Sequence, residues 1–197
     1  MSTDQRLARG ARTRRAITRH AADVASVEGL TGLTLGRLAT DLGLSKSGVA
    51  TLFRTKEQLQ LATVETARET FLDAVVRPAL EAPEGTARLR ALVERWLSYA
   101  ERPVFPGGCF WAANLPEFDS RPGPVHDALR RQRESWLSLL ADQFRHAAGA
   151  GETAEPDVGL AVFQIDAALN AANTALRLGE PDAADRVRRV VDGLLRR

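Results

Sequence analysis

Small, polar and cationic side chains surround a few large apolar ones at helical spacing between Ser45 and Arg54. Val49, Leu52 and Phe53 would form the inward face of a short helix, so the remaining side chains would face outward. Lysine and arginine bind phosphate oxygens, and hydroxyl groups hydrogen-bond to phosphates or to the edges of bases. The pattern therefore indicates a surface that can approach a nucleic acid closely. Its outward residues are Lys46, Ser47, Ala50, Thr51 and Arg54.

A helix-turn-helix would position these side chains. Apolar residues at positions i, i+3, i+4 and i+7 from Leu35 predict a first short helix. Gly43 can adopt the left-handed conformation of a tight turn, and Ser45 is a good N-cap for the next helix. Residues 34–53 therefore predict a helix-turn-helix whose second helix enters a DNA major groove. An ordinary helical hairpin in an all-α core has the same local pattern, and this alternative stays open.

The distribution of charge favours the DNA-binding interpretation. The chain has 197 residues and a formal net charge of only +2. Residues 1–60 carry ten lysines and arginines against five acids, whereas the remaining residues carry 17 against 20. A weakly charged protein thus concentrates its positive charge at one end, as phosphate binding requires.

Several spaced residues between Arg14 and Val64 form a more specific pattern: Gly29-Leu30, Thr34, Leu38-Ala39, Gly43, Leu44-Ser45-Lys46, Phe53 and Lys56-Glu57-Gln58-Leu59. With these residues the chain resembles the N-terminal domain of the tetracycline-repressor (TetR) family of bacterial transcriptional regulators. The resemblance implies a DNA-binding domain at residues 1–55 and a helical effector-binding and dimerisation domain at residues 56–197. The family usually carries an aromatic residue at the place of Ala50 and His or Tyr at that of Leu52. Some phosphate contacts are therefore absent or supplied elsewhere.

The predicted DNA contacts lie before, within and after the helix-turn-helix. Thr55 and Gln58 have the spacing of a capping box, so a helix should begin at Lys56 and offer its free N–H groups to a phosphate. Residues 1–13 are polar and Arg-rich without an apolar face, which predicts a flexible arm. That arm would be either a plain disordered terminus or a contact to phosphates or the minor groove. The candidate DNA contacts are Thr34, Arg37, Ser45, Lys46, Ser47, Gly48, Thr51, Arg54, Lys56, Arg12 and Arg14.

The rest of the chain predicts helices only. Apolar stripes at helical spacing recur over residues 89–97, 125–144, 158–178 and 187–194, and no segment alternates like a strand, so the fold class is all-α with about nine helices. The stretch 158–178 is apolar on more than one side, which predicts a second subunit as its cover. The family resemblance implies the same homodimer, formed by the last two helices. Such a two-fold dimer suits a palindromic operator.

Residues 103–124 are rich in Pro and Gly but also hold many large apolar groups, so we expect a short helix near 108–114 that turns into the core. Their Gly-Gly-Cys-aromatic element resembles the C-terminal domain of one TetR subgroup. The resemblance implies an effector pocket in the C-terminal helices, although aromatic residues at helical spacing also suit a plain core. Cys109 is either a sensing thiol or a small buried apolar residue. The candidate pocket residues are Trp96, Cys109, Phe110, Trp111, Asn114, Phe118, Trp136, Phe163, Asp166, Asn170 and Asn173.

Composition and motifs exclude several other classes. No apolar run reaches the length of a membrane span, and the basic N-terminus lacks the apolar segment of a signal peptide. A single cysteine excludes an intrachain disulfide, and together these features predict a cytoplasmic protein. No phosphate-binding loop, nucleophile elbow or metal-ligand pair occurs, so we predict no enzyme, metal or cofactor.

Two functions therefore remain. The first is a repressor that binds double-stranded operator DNA as a homodimer and is released by a small-molecule effector. The second is a helical small-molecule-binding or scaffold protein whose helix-turn-helix has degenerated, which the residues at 50 and 52 suggest.

Overall fold

A computed structural model of the protein describes residues 3–102, 104–153 and 157–196. Within these residues it has nine helices of 7 residues or more and no strand, which confirms the all-α prediction. A 3-10 turn at Leu30–Gly32 precedes α2, and a π-helical segment at Leu72–Val76 joins α4 to the three-residue α5. The helices are α1 (Thr3–Glu28), α2 (Leu35–Asp41), α3 (Lys46–Leu52), α4 (Lys56–Phe71), α5 (Arg77–Ala79), α6 (Thr86–Glu101), α7 (Phe110–Phe118), α8 (Pro124–Gly149), α9 (Val158–Arg177) and α10 (Ala183–Leu194).

The described residues pack into two compact units. The first unit contains residues up to Thr70 together with Phe105–Arg130. The second unit contains Phe71–Val104 and the residues from Arg131 onward. The predicted domain boundary between residues 55 and 56 remains a prediction. No described helix has the length and apolar character that crossing a membrane requires.

The core of the first unit forms around α1. Ile17, Ala21 and Ala25 are fully buried on one face of α1, and Leu38 and Val49 of the helix-turn-helix are buried as well. This burial is the reason that the periodic apolar residues of the sequence form helices here, because most helical stability in proteins comes from packing.

The predicted flexible arm at residues 1–13 is wrong for the described part of that segment. Helix α1 begins at Thr3 and continues without a break into the packed turns around Ile17. Alanine, arginine, leucine and glutamine are good helix formers, and a helix that is already nucleated extends at little cost. The described part of the segment does lack a buried apolar face, as the sequence predicted, since Leu7 and Arg12 are both exposed on this part of α1.

The second unit is a set of packed helices. The predicted stripe of α6 is buried, with Leu89, Leu92 and Leu97 fully inaccessible to solvent. Helix α10 packs on α9 and α6, and Arg188 of α10 forms two hydrogen bonds of 2.8 and 2.9 Å with the carboxylate of Glu94 on α6. The last two helices thus belong to the same packed unit as α6.

Candidate nucleic-acid interface

The turn between α2 and α3 is held by backbone hydrogen bonds. Gly43 has a φ of 63°, the left-handed conformation that the sequence predicted for it. The N–H of Leu44 donates to the carbonyl of Ala39 at 2.8 Å, and the N–H of Gly43 donates to Thr40 at 3.1 Å. This pair of bonds is a Schellman motif, which satisfies the last carbonyls of α2. The turn is therefore fixed by local geometry.

Side-chain caps fix the starts of the three helices around this turn. Thr34 accepts from the N–H of Arg37 at 3.2 Å, and Ser45 accepts from the N–H of Gly48 at 3.1 Å. Thr55 accepts from the N–H of Gln58 at 3.1 Å, so α4 begins at Lys56 as predicted. The Gln58 side chain accepts a hydrogen bond from the N–H of Arg54. In a standard capping box it would accept from the N–H of the N-cap residue, Thr55.

Helix α3 divides into the two faces that the sequence predicted. Val49 and the following Phe53 are fully buried, whereas Ala50 is exposed and Leu52 is half-buried. The hydroxyl of Thr51 donates to the carbonyl of Ser47 at 2.9 Å, which leaves its oxygen able to accept another hydrogen bond. Every predicted DNA contact is exposed.

Three of the predicted cationic contacts have no side-chain partner among the residues that the structure describes. No ion pair or hydrogen bond within that part of the chain involves the side chains of Lys46 at the start of α3, Arg54 just after its end or Arg12 on α1. Two of these charges therefore flank the small, polar surface of α3. They are available to an external anion.

Two other predicted cations are exposed but donate hydrogen bonds to backbone carbonyls of the protein. The guanidinium of Arg14 donates to the carbonyl of Leu52 at 2.9 Å and lies 4.4 Å from the centre of the Phe53 ring. The ammonium of Lys56 donates to the carbonyl of Thr31. Arg14 thus occupies the C-terminal end of α3, where a positive charge is stabilised by the helix dipole.

Arg37 belongs to a network of opposite charges. Its guanidinium binds both carboxylate oxygens of Glu28, one of them at 2.8 Å, and lies 3.6 Å from Asp41. The hydrogen bond from Arg37 lowers the pKa of Glu28. The pKa of Asp41 is also lowered, chiefly by the hydrogen bond from His20 at 2.9 Å. The charge of Arg37 is therefore compensated within the protein.

The predicted pocket residues are divided between the two units. Those of the first unit lie on or next to α7, and all are buried except the half-buried Trp111: Cys109, Phe110, Trp111, Asn114 and Phe118. Helix α7 spans Phe110–Phe118, further than the predicted 108–114, because it continues through Pro116. A proline inside a helix removes one hydrogen bond, and the sequence interpretation ended the helix before it.

The remaining pocket candidates lie in the second unit. Trp96 and Asn173 are buried, and half-buried Trp136 packs edge-on against Phe71 with ring centres 5.4 Å apart. The side chain of Asn170 donates to the carbonyl of residue 166 within α9. Asp166 pairs with Arg133 at 2.6 Å, and Phe163 is 66% exposed.

Sequence reasoning did not identify the residues that hold the segment between α1 and α2. Asn114 and Glu117 of α7 bind the backbone N–H groups of Leu30 and Thr31, which are 84 and 86 positions away in the chain. No local spacing could reveal such a pairing. The only signal was the coincidence of polar residues with large apolar groups in 103–124.

An all-α chain whose helix-turn-helix exposes small polar groups between uncompensated cations has the fold and surface that are typical of helix-turn-helix transcriptional regulators. Residues 85–191 match the family model described as tetracyclin repressor-like, C-terminal domain. Because this match covers more than half of the 197 residues, the chain belongs to the tetracycline-repressor (TetR) family. No curated protein is significantly similar to it in sequence.

Solved structures resemble the protein over nearly its whole length. A TetR transcriptional regulator from Chloroflexus aurantiacus is 25% identical, with a TM-score of 0.82 over 95% of this chain and 94% of that one. A TetR-family regulator from Streptomyces coelicolor is 20% identical, with a TM-score of 0.77 over 99% and 95%. AibR in complex with isovaleryl coenzyme A and operator DNA is 19% identical, with a TM-score of 0.71 over 92% and 95%.

Proposed function

We propose that the protein is a sequence-specific DNA-binding repressor that acts as a homodimer and leaves its operator when a small-molecule effector binds to its C-terminal helices. The proposal of DNA binding is supported above all by the exposed surface of α3. The side chains of two exposed cations, Lys46 and Arg54, have no ion-pair or hydrogen-bond partner in the part of the chain that the structure describes, and they flank a helix face made of small and polar side chains. Such a face can enter a major groove while the flanking charges reach phosphates.

Within this site the residues have different proposed roles. Ser47 and Thr51 are placed to read base edges, because they are exposed on the outer face of α3 and carry hydroxyl groups. Lys46 and Arg54 bind phosphates. The small side chain of Ala50 lets the helix backbone approach the bases more closely than the bulkier residue usual in the family would.

The proposed homodimer forms through α9 and α10. The outer face of α9 carries an exposed apolar stripe, in which Leu160 is 53% exposed and Phe163 is 66% exposed. Leu178, which directly follows the end of α9, is 76% exposed. Exposed Ala167 and Ala171 lie between Phe163 and Leu178 at helical spacing. An apolar stripe of this length indicates a surface that another protein covers. A two-fold dimer is the arrangement that presents two recognition helices to a palindromic site.

Asn114 accepts one hydrogen bond and donates two within the first unit, so its amide has little capacity left for a ligand. We therefore place the effector in the second unit, near the aromatic candidates Trp96 and Trp136. AibR, which shares this fold, has been solved with both isovaleryl coenzyme A and operator DNA.

Release from the operator follows from linkage. An effector shifts the equilibrium only if it binds the state unable to bind the operator more tightly than the DNA-bound state. Effector and operator then weaken each other's binding by the same factor. A titration in which an effector binds and leaves the operator affinity unchanged would refute this scheme.

The first test is binding of the protein to its own upstream DNA at two salt concentrations, with random DNA as competitor. Binding that resists the competitor supports a sequence-specific regulator. Binding that is weak, equal for random DNA and lost as salt rises supports the degenerate helix-turn-helix instead.

Variants then separate the proposed roles. Lys46→Ala should weaken binding to all sequences and lower the slope of log affinity against log salt by about one. Thr51→Ala should change the preferred base at one position of each half-site, with a discrimination of about 1–3 kcal/mol. Arg95→Ala, an equal loss of charge at an exposed position of α6, is the control and should leave DNA binding unchanged.

A further inference from the structure

The segment that joins α1 to the helix-turn-helix is bound by side chains from outside it. We name residues 29–32 the connecting turn. The N–H of Leu30 donates to the Asn114 amide oxygen at 2.8 Å, and the N–H of Thr31 donates to the Glu117 carboxylate at 3.2 Å. The Thr31 hydroxyl donates to the same carboxylate. On the other side, Gln60 donates to the carbonyl of Leu30 at 2.9 Å.

The fit between the connecting turn and α7 is close. Asn114 is fully buried, and its amide nitrogen also donates to the carbonyl of Ala25 in the last part of α1 at 3.2 Å. Gly29 has a φ of 77°, and a Cβ there would lie 2.7 Å from the carboxylate oxygens of Glu117. Any larger residue at position 29 would displace that carboxylate. The turn and α7 are therefore shaped to each other.

The loop before α7 is attached to α1 in the same way. The N–H of Gly107 donates to the Ser26 hydroxyl at 2.9 Å. A Cβ at Gly107 would lie 1.8 Å from the carbonyl oxygen of Ser26, so only glycine allows this approach. The guanidinium of Arg19 also lies 4.7 Å from the centre of the Phe105 ring. Together these contacts make α7 part of the first unit, although it lies within the stretch that matches the C-terminal-domain model.

We propose that Glu117 and Asn114 of α7 are positioning residues for DNA binding, which hold the connecting turn and thereby set the orientation of the helix-turn-helix. The connecting turn is followed by Leu33, which is fully buried, and by Thr34, which caps α2. A change in the turn therefore changes where α2 and α3 start. This inference rests on the proposed DNA-binding function and goes beyond it, because it assigns a role in DNA binding to residues that lie outside the helix-turn-helix.

The negative charge of Glu117 lets one substitution distinguish a positioning role from a purely electrostatic effect on DNA binding. Removing a carboxylate from a DNA-binding unit reduces its repulsion of phosphates, so electrostatics alone predicts tighter DNA binding for Glu117→Ala. Loss of the positioning contacts predicts weaker binding. Asp119→Ala is the matched control, because it removes the same charge from an exposed position two residues further along the chain.

The experiment measures operator affinity of the full-length protein over a range of salt concentrations, together with amide hydrogen exchange of the free protein. Glu117→Ala should bind the operator about tenfold more weakly, as expected for the loss of hydrogen bonds to a charged acceptor. The slope of log affinity against log salt should stay unchanged, because no phosphate contact is lost. The amides of Leu30 and Thr31 should exchange faster. Glu117→Gln, which keeps the acceptor, should restore most of the affinity.

The outcomes separate this inference from the proposed function. If the unaltered protein binds its operator no better than random DNA, the proposed function fails. If it binds specifically but Glu117→Ala and Asp119→Ala have the same affinity, the positioning role alone is overturned. Thr31→Val is the second variant in case Glu117→Ala does not fold. It removes only the hydroxyl donor to Glu117, and an unchanged affinity for this variant also overturns the proposal.

Discussion

Arg14 should act on DNA binding by holding the end of α3 and not by binding a phosphate. The sequence placed Arg12 and Arg14 together among the DNA contacts, but the structure gives them different surroundings. Arg14 donates to the carbonyl of Leu52 at 2.9 Å and lies over the Phe53 ring at 4.4 Å, whereas Arg12 makes no such contact with the described residues. Both lie on α1, so Arg14→Ala and Arg12→Ala change helix propensity equally.

The size of the effect follows from the two contacts of Arg14. An exposed cation–π contact contributes about 0.5–1 kcal/mol, and a cation at a helix C-terminus contributes about 0.3–1 kcal/mol. Arg14→Ala should therefore cost about 1–2 kcal/mol of unfolding free energy. In a protein of this size, that loss lowers the melting temperature by roughly 2–8 °C. Arg12→Ala should leave the melting temperature nearly unchanged.

Thermal unfolding and salt-dependent DNA binding together decide the question. Arg14→Ala should weaken operator binding while leaving the salt slope unchanged, and Arg12→Ala should lower that slope by about one if Arg12 binds a phosphate. The reasoning would be refuted by the opposite pattern for Arg14→Ala, namely an unchanged melting temperature together with a salt slope reduced by one.

Two further predictions concern the second unit and the acid stability of the first. Phe163→Asp should leave the helical content unchanged but convert the protein to a monomer in light scattering, since a charge on the proposed dimer face is costly to bury. A dimer of unchanged affinity would contradict that interface. The hydrogen bond from His20 lowers the pKa of Asp41 from its ordinary value of 3.8. The ionised carboxylate therefore contributes stability that is fully present at pH values above 3.8 and is lost as the pH falls through the lower pKa of the folded state. Asp41→Asn should therefore flatten the acid end of the plot of melting temperature against pH, and an unaltered acid end would show that the contact with His20 stabilises nothing.

The sequence predicted the helix-turn-helix closely because its determinants are local. Gly43 and the caps at Thr34 and Ser45 act over three to five residues, and the structure contains each of these hydrogen bonds. The start of α4 after Thr55 was predicted for the same reason. The sequence was wrong about residues 3–13, where it equated the lack of an apolar face with the lack of a helix.

What the candidate interface offers to DNA depends on contacts between distant parts of the chain. Lys46, Arg54 and Arg37 are all cations in a basic region. Only the folded structure shows that Glu28 and Asp41 compensate the charge of Arg37, whereas the side chains of Lys46 and Arg54 have no partner among the described residues. A side chain's availability is a property of its neighbours, and those neighbours are set by packing.

By itself the sequence determined the class of fold, the place of the helix-turn-helix and the family that the pattern resembles, because hydrophobic period, capping and turn chemistry act within one or two helical turns. Only the tertiary structure decided that α7 belongs to the same unit as α1 and the helix-turn-helix. The hydrogen bonds of Asn114 and Glu117 join residues 84 and 86 positions apart, and no periodicity encodes which distant helix will supply the partner of an unpaired backbone N–H.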